Sequence, residues 1–367
     1  MNITVLQENL LPKLQDASRF VASKPQLPIL SGVYLSCEEN RLLIRSTDLK
    51  VGYQSIIGGK IEKEGTCVVP IRFLVDLVAS LHAGPLTLAL EETTLTISQG
   101  KVRSTLSTFP ILDFPPFPSL GEKSNSIDAK AFSKAIDHVF YAASLDETRP
   151  VISSILIHFD DEECTLAATD GYRLAVEKIP SKEAGKSQQI LVQAKMLAEI
   201  ARIIGKANAQ IVHLFVTQEL AQVSFQVDDT TIMARLTEGK FPNYQAIIPP
   251  KFVISTELDR DLLIHALKTA LVVAKESSSI ISIEIKKSVV NVLGASQSVG
   301  ENTTELDSTY TGDETRTLSC NAKFLMDCLS RIEAEFIELS MNEELKPVRI
   351  RVAKDDTFTY IVMPFKK

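Results

Sequence analysis

No run of 18 uninterrupted apolar residues occurs in the 367-residue chain, which excludes a conventional transmembrane helix. The opening residues, MNITVLQENLLPKLQDASRF, lack the basic start and long apolar core of a secretory signal, and they read instead as a capped amphipathic helix. Five cysteines (Cys37, Cys67, Cys164, Cys320, Cys328) are scattered without a single CxxC pair, so they read as buried free thiols of a reducing, cytoplasmic protein. Five isolated histidines offer no metal-ligand spacing, and neither a metal nor a cofactor is expected. There is no GxxxxGK[ST] loop for a nucleotide, no GxGxxG after a strand and no GxSxG nucleophile elbow. A net charge of −7 argues against a generally basic nucleic-acid binder, but not against cations gathered on one face.

What the chain does have is repetition. VPIRFLVDLV (69–78), VQAKMLAEIA (192–201) and CNAKFLMDCL (320–329) share a small or β-branched start, a base at the fourth position, an apolar pair and an acid at the eighth. Their starts are 123 and 128 residues apart. Each is preceded by another helix-like segment, at 8–22, 128–143 and 259–274. Leu10, Leu14, Ala17 and Val21 recur at helical spacing in the first. Phe132, Ile136, Val139 and Phe140 do so in the second, and Leu263, Leu267, Ala270 and Leu271 in the third. Asp128 and Asp259 stand where a cap or first-turn acid belongs.

Between the two helices of each repeat lie paired apolar runs joined by polar turns, such as GVYLSCEENRLLIRSTD and SILIHFDDEECTLAATD. More strands follow the second helix. The expected fold is therefore α+β: three tandem repeats, each of two helices plus antiparallel sheets. Proline-rich stretches at 109–126 and 238–252 cannot continue a sheet ladder. They divide the chain into 1–122, 123–250 and 251–367.

TLAATDGYRLAV (165–176) poses a choice between a catalytic carboxylate and a turn. Asp170 has no second acid, base or ligand set near it in sequence, and Asp48 stands at the same place in repeat one. A Thr-Asp pair between strands bonds its own backbone, and Gly171 supplies a positive φ. The turn is the preferred reading, and no catalytic residue is expected.

LPILSGVYL (27–35), ATDGYRLAV (168–176), EGKFPNYQAIIP (238–249) and a terminal YIVMPF (360–365), in that order over three repeats, closely resemble the bacterial DNA polymerase III beta subunit family, the sliding clamps. The resemblance implies a processivity factor without catalytic activity. Two subunits would join head to tail into a six-domain ring around double-stranded DNA, without sequence preference. Its partners would be the DNA polymerase III alpha subunit, a clamp loader and other clamp-binding-motif proteins, and it would need no membrane. Six helices per subunit give twelve in such a dimer. At ~9 Å spacing they need a circumference of about 110 Å, and after helix thickness a hole of roughly 24 Å remains.

For DNA, the residues expected to face the hole are Lys24, Arg72, Lys134, Arg149, Lys195, Arg202, Lys206, Lys268 and Lys275. They would contact phosphates, weakly and with salt sensitivity. For protein partners, the resemblance implies a cleft between the central and C-terminal domains that takes a peptide of the type Gln-Leu-x-Leu-Phe. Thr169, Gly171, Tyr172, Arg173 and Leu174 would form one wall, joined by Ile152, Pro242 and Ile247. Asn321 and Phe324 would approach from the third domain, with Val362, Met363 and Pro364 from the tail. Tyr172 stands where histidine is common in the family, and Phe324 where tyrosine is frequent. The alternative reading is a repeat scaffold that binds peptides without encircling DNA.

Overall fold

The computed structural model describes all residues except 23–24, 118–119, 122, 182–186, 208, 218–220, 313–314, 344 and 367. Repeat one runs β1 (Asn2–Leu6), α1 (Gln7–Ala17), β2 (Gly32–Glu38), β3 (Arg41–Thr47), β4 (Val51–Gly58), β5 (Lys60–Lys63), β6 (Gly65–Pro70), α2 (Ile71–Ser80), β7 (Pro85–Glu91), β8 (Thr94–Gln99) and β9 (Val102–Ser107). Repeat two runs β10 (Lys123–Asp128), α3 (Ala129–Val139), β11 (Ser154–Phe159), β12 (Glu163–Thr169), β13 (Arg173–Pro180), β14 (Gln188–Gln193), α4 (Ala194–Lys206), β15 (Ile211–Thr217), β16 (Gln222–Val227) and β17 (Thr230–Arg235). Repeat three runs β18 (Ile254–Asp259), α5 (Arg260–Ala274), β19 (Ile280–Ile285), β20 (Val289–Ser296), β21 (Gly300–Asp307), β22 (Thr309–Thr311), β23 (Arg316–Asn321), α6 (Ala322–Leu329), β24 (Phe336–Met341), β25 (Val348–Val352) and β26 (Phe358–Val362).

The chain opens on a strand, not on the capped helix expected there. Ile3 and Val5 alternate inward along β1, a period of two, and the helix starts only at Gln7 with no side-chain cap from Leu6. Residues 18–20 tighten into a 3-10 turn, so α1 ends before Val21. The remaining periodicity holds. Leu10, Leu14 and Ala17 are fully buried in α1, Phe132, Ile136 and Val139 in α3, and Leu263, Leu267 and Ala270 in α5. Each such leucine is worth ~1.5–3 kcal/mol relative to an exposed one. Asp259 caps α5 by accepting from the Leu262 N–H at 2.9 Å.

Two compact units result, Met1–Ala129 with Arg202–Leu236, and Lys130–Ala201 with Thr237–Lys367. The first holds a five-stranded sheet, β5-β1-β7-β8-β9, and an eight-stranded sheet, β10-β15-β16-β17-β4-β3-β2-β6. Strands of repeats one and two meet in the latter, where β17 runs antiparallel to β4 with Ala234 opposite Val51. The second unit holds a nine-stranded sheet, β14-β11-β12-β13-β26-β25-β24-β18-β22, and a four-stranded one, β21-β20-β19-β23. There β26 joins repeat three to repeat two along β13, with Val362 opposite Arg173. β9 and β21 are end strands of their sheets among the described residues. All five cysteines are free and buried, and burial pushes the thiols of Cys67, Cys320 and Cys328 up to about 12.

Candidate functional site

The Thr-Asp stretch builds a turn. Thr169 Oγ1 donates to the Arg173 carbonyl at 2.6 Å and accepts from the Gly171 N–H at 3.1 Å. Asp170 Oδ1 accepts from the N–H groups of Tyr172 and Arg173 at 2.9 and 3.0 Å. Gly171 has a φ of +94°, which a side chain would resist. Asp170 Oδ2 is engaged by Arg173 Nε at 2.9 Å, so both oxygens are spoken for and the carboxylate is structural. Among the described residues no group of three or more His, Cys, Asp or Glu side chains could hold a metal ion.

This turn delivers Arg173 into the middle of the second unit. Its Nη1 donates to Asp327 at 2.7 Å and its Nη2 to the Tyr141 carbonyl at 2.7 Å. The guanidinium lies 4.5 Å from the ring centre of Phe324, within cation–π range. Burial works against the Arg173 charge, but Tyr360, Asp327 and Asp170 outweigh it and hold the group above its ordinary range.

The C-terminal tail lies alongside. The Met363 N–H donates to the Tyr172 carbonyl at 2.8 Å, and the Phe365 N–H to the Ser319 carbonyl at 2.7 Å. Phe365 stacks on the half-exposed Tyr172 ring, centres 6.3 Å apart. Asn321 caps α6 through the Lys323 N–H at 2.9 Å. Thr169, Tyr172, Arg173, Phe324, Met363 and the Asn321 cap thus form one neighbourhood. Leu174 and Val362 are buried beneath it as floor rather than wall.

Leu174 belongs to an apolar cluster with Leu156, Ala167, Val176, Leu191, Phe241 and Ile361, against which Val151, Tyr244 and Ile248 pack. The sequence reading named Ile152, Pro242 and Ile247, each one residue from a member of this layer. Ile247 itself is exposed, and the Ile152 carbonyl accepts from the Ser144 N–H at 2.8 Å. Sequence reasoning missed Tyr141, Asp327 and Phe365. Asp327 had a signal, being the acid at the eighth position of the repeated helix.

The expected DNA-facing cations are less uniform. Lys24 lies outside the described residues. Arg72, Lys268 and Lys275 are exposed. Arg149 pairs with Asp146 at 2.9 Å, Lys195 with Glu147 at 2.5 Å, and Lys134 approaches Glu333 at 3.9 Å. Arg202 and Lys206 converge on Asp16, at 3.0 and 3.7 Å. Acids of the same surfaces therefore offset part of the positive charge.

Comparison with known proteins gives three adjoining matches. The models for the N-terminal, central and C-terminal domains of the DNA polymerase III beta subunit match residues 1–118, 126–243 and 245–366. The beta sliding clamp of Streptomyces coelicolor is 27% identical over 375 residues, covering 100% of this chain and 99% of that one. That of Staphylococcus aureus is 25% identical with the same coverage. Among solved structures, a Pseudomonas aeruginosa sliding clamp bound to griselimycin aligns with a TM-score of 0.95 at 26% identity, covering 100% of both chains. The Thermotoga maritima beta subunit aligns at 0.93 and 26%, covering 100% of this chain and 99% of that one. The chain belongs to the DNA polymerase III beta subunit family, the beta sliding clamps.

Proposed function

We propose that two copies of this chain close head to tail into a ring around duplex DNA and that each copy holds replication partners by a short peptide seated along Tyr172, Arg173 and Met363. A member of this family is a processivity factor, not a catalyst. The observation that carries the ring is the sheet pattern. The third strand after the second helix of repeat two, β17, pairs with the third strand of the first hairpin set of repeat one, β4. β26 of repeat three pairs with β13 of repeat two in the same way. The strands left over by this rule are β9 and β21, each at one end of its sheet among the described residues, and a second copy would supply the missing partner for each.

The rule also sets a register. Gly300 opens β21 as Val51 opens β4 and Arg173 opens β13, and Leu106 stands in β9 where Ala234 stands in β17. Leu106 then faces Gly300, Val102 faces Thr304 and Lys101 faces Glu305 of the second copy. Arg103 falls diagonally between Glu301 and Glu305. Cations on one edge meet acids on the other, which favours this pairing over self-pairing of either edge.

Domains 1–122, 123–250 and 251–367 would give a six-domain ring, with cations such as Arg72, Lys268 and Lys275 set toward phosphates. Sequence-independent contacts of this kind leave the ring free to move, so retention comes from topology. The peptide partners would be the DNA polymerase III alpha subunit, a clamp loader and other clamp-binding-motif proteins, all in the cytoplasm. No helix among the described residues is long and apolar enough to cross a membrane.

The test is retention on DNA. The protein is loaded by a clamp loader onto nicked circular plasmid, gel-filtered, and filtered again after the plasmid is cut. Retention on the circle with loss from the linear form supports the ring. Equal retention on both means ordinary affinity and overturns it.

A further inference from the structure

The joint between β17 and β4 is built like the one between β26 and β13. Thr47 Oγ1 donates to the Val51 carbonyl at 2.6 Å and accepts from the Leu49 N–H at 3.0 Å. Asp48 Oδ1 accepts from the N–H groups of Lys50 and Val51, both at 2.9 Å. These are the four bonds of the Thr169–Arg173 turn, residue for residue. The neighbouring strand is matched too, since Ala234 faces Val51 as Val362 faces Arg173.

The two joints differ in their floors. Beside the second turn lie Leu156, Ala167, Leu174, Val176 and Ile361, all apolar. The matching positions beside the first are Tyr34, Arg45, Gly52, Gln54 and Met233. Arg45 Nε donates to Gln54 Oε1 at 2.8 Å, and burial pushes the guanidinium below its ordinary range. Over this floor lies Phe117, its ring centre 5.0 Å from the Arg45 guanidinium. Gly52 makes the room: a methyl group there would come within 3.0 Å of Phe117 Cζ. A cavity of about 120 Å³ remains beside the ring, between Lys50, Met233 and Pro116. Phe117 itself lies in no helix or strand, so it can leave without breaking a sheet ladder.

We propose that this first joint is a second peptide-binding pocket, selective for an aromatic side chain, which the chain's own Phe117 occupies and which a partner peptide enters by replacing Phe117. The proposal rests on the reading of the second joint as a peptide site. The selectivity follows from the floor. A desolvated guanidinium attracts the face of a ring. An aliphatic side chain gains nothing comparable from Arg45 and Gln54, whereas Ala167 and Val176 suit it at the other joint. Phe117 thus keeps the first joint closed to the peptides that the second accepts.

The experiment counts sites by calorimetry on the full chain with the peptide Gln-Leu-Ser-Leu-Phe. The wild type binds one peptide per protomer, and Phe117→Ala binds two. The added site survives Met363→Ala with Pro364→Ala, and it weakens at least fivefold when the last peptide residue is cyclohexylalanine. A Phe117→Ala chain with the wild-type circular dichroism spectrum and only one site overturns the proposal. A second readout needs no disruptive variant. A fluorinated phenylalanine at position 117 of the otherwise unaltered chain should shift its fluorine resonance as peptide is raised into the millimolar range, and an unmoved resonance also overturns the proposal. A wild type that binds no peptide fails the reading of the second joint instead, and the gain or absence of a site in Phe117→Ala still decides this one.

Discussion

Arg173 Nη1 lies 2.7 Å from Asp327 Oδ2, and this contact ties the strand after the Thr-Asp turn to the second helix of repeat three. The pair is unequal. The Arg173 side chain is 10% exposed, the Asp327 side chain 47%. Arg173 keeps Asp170 and the Tyr141 carbonyl if Asp327 is lost, whereas loss of Arg173 removes its bonds to Asp170, Asp327 and the Tyr141 carbonyl together.

Arg173→Ala should therefore destabilise the chain by about 2–4 kcal/mol and Asp327→Ala by about 1 kcal/mol or less. Arg173→Lys should fall near the alanine variant, because an ammonium cannot span three acceptors in fixed directions. Unfolding in urea, followed by circular dichroism, measures all three. Equal losses for Arg173→Ala and Asp327→Ala would mean that the exposed ion pair, not the buried fork, carries the stability.

Peptide binding should depend on the tail. Met363→Ala with Pro364→Ala removes an adaptable apolar side chain and the rigid residue after it, and leaves the Met363 N–H bond to Tyr172 in place. The expected loss is roughly tenfold or more in peptide affinity, about 1.4 kcal/mol, with unchanged thermal stability. Fluorescence anisotropy with a labelled peptide reads the first quantity and a melting curve the second. Unaltered affinity would remove the tail from the site.

Ring closure should respond to charge exchange. Lys101→Glu places two acids opposite each other across the inferred β9–β21 pairing, and Glu305→Lys does the same with two cations. Each single variant should weaken the dimer about 3- to 10-fold, and the double variant should restore most of it. Sedimentation equilibrium gives the dissociation constants. Failure of the double variant to recover would shift the register or discard the pairing.

The repeat, its helices and its hairpins were legible because they rest on local periodicity and turn chemistry. Leu10, Leu14 and Ala17 mark one helical face whatever the rest of the chain does. Residues 2–6 were misread because a five-residue strand running into a helix shows too few periods to separate from the helix itself, and its pairing with β7 and β5 is set by residues more than 50 positions away. The candidate site was legible as a structural neighbourhood where it is contiguous, as in the turn at 169–174. It blurred where the backbone twists through 151–152 and 247–248, since which of two adjacent apolar residues turns inward is decided by packing. Asp327 and Tyr141 reach Arg173 through tertiary contacts that no local pattern encodes.

Stability should also vary with acid in a way that one carboxylate reports. Glu338 Oε1 accepts from Arg349 Nη2 at 2.9 Å and Ser340 Oγ at 2.7 Å, and Oε2 accepts from Arg351 Nη2 at 2.7 Å. Burial pushes the Glu338 carboxyl up, but the bonds from Arg351, Ser340 and Arg349 outweigh it and hold the group down to about 2. A folded value below the unfolded one means that the stabilisation is complete above about pH 4.5 and is lost as the pH falls toward 2. Glu338→Gln should cost about 2 kcal/mol at pH 7, after allowance for partial solvent screening, and its deficit relative to wild type should shrink steadily between pH 4.5 and 2.5. Denaturation midpoints of both proteins across that range measure it. A deficit that stays constant with pH would assign the loss to side-chain packing between β24 and β25, because packing does not titrate.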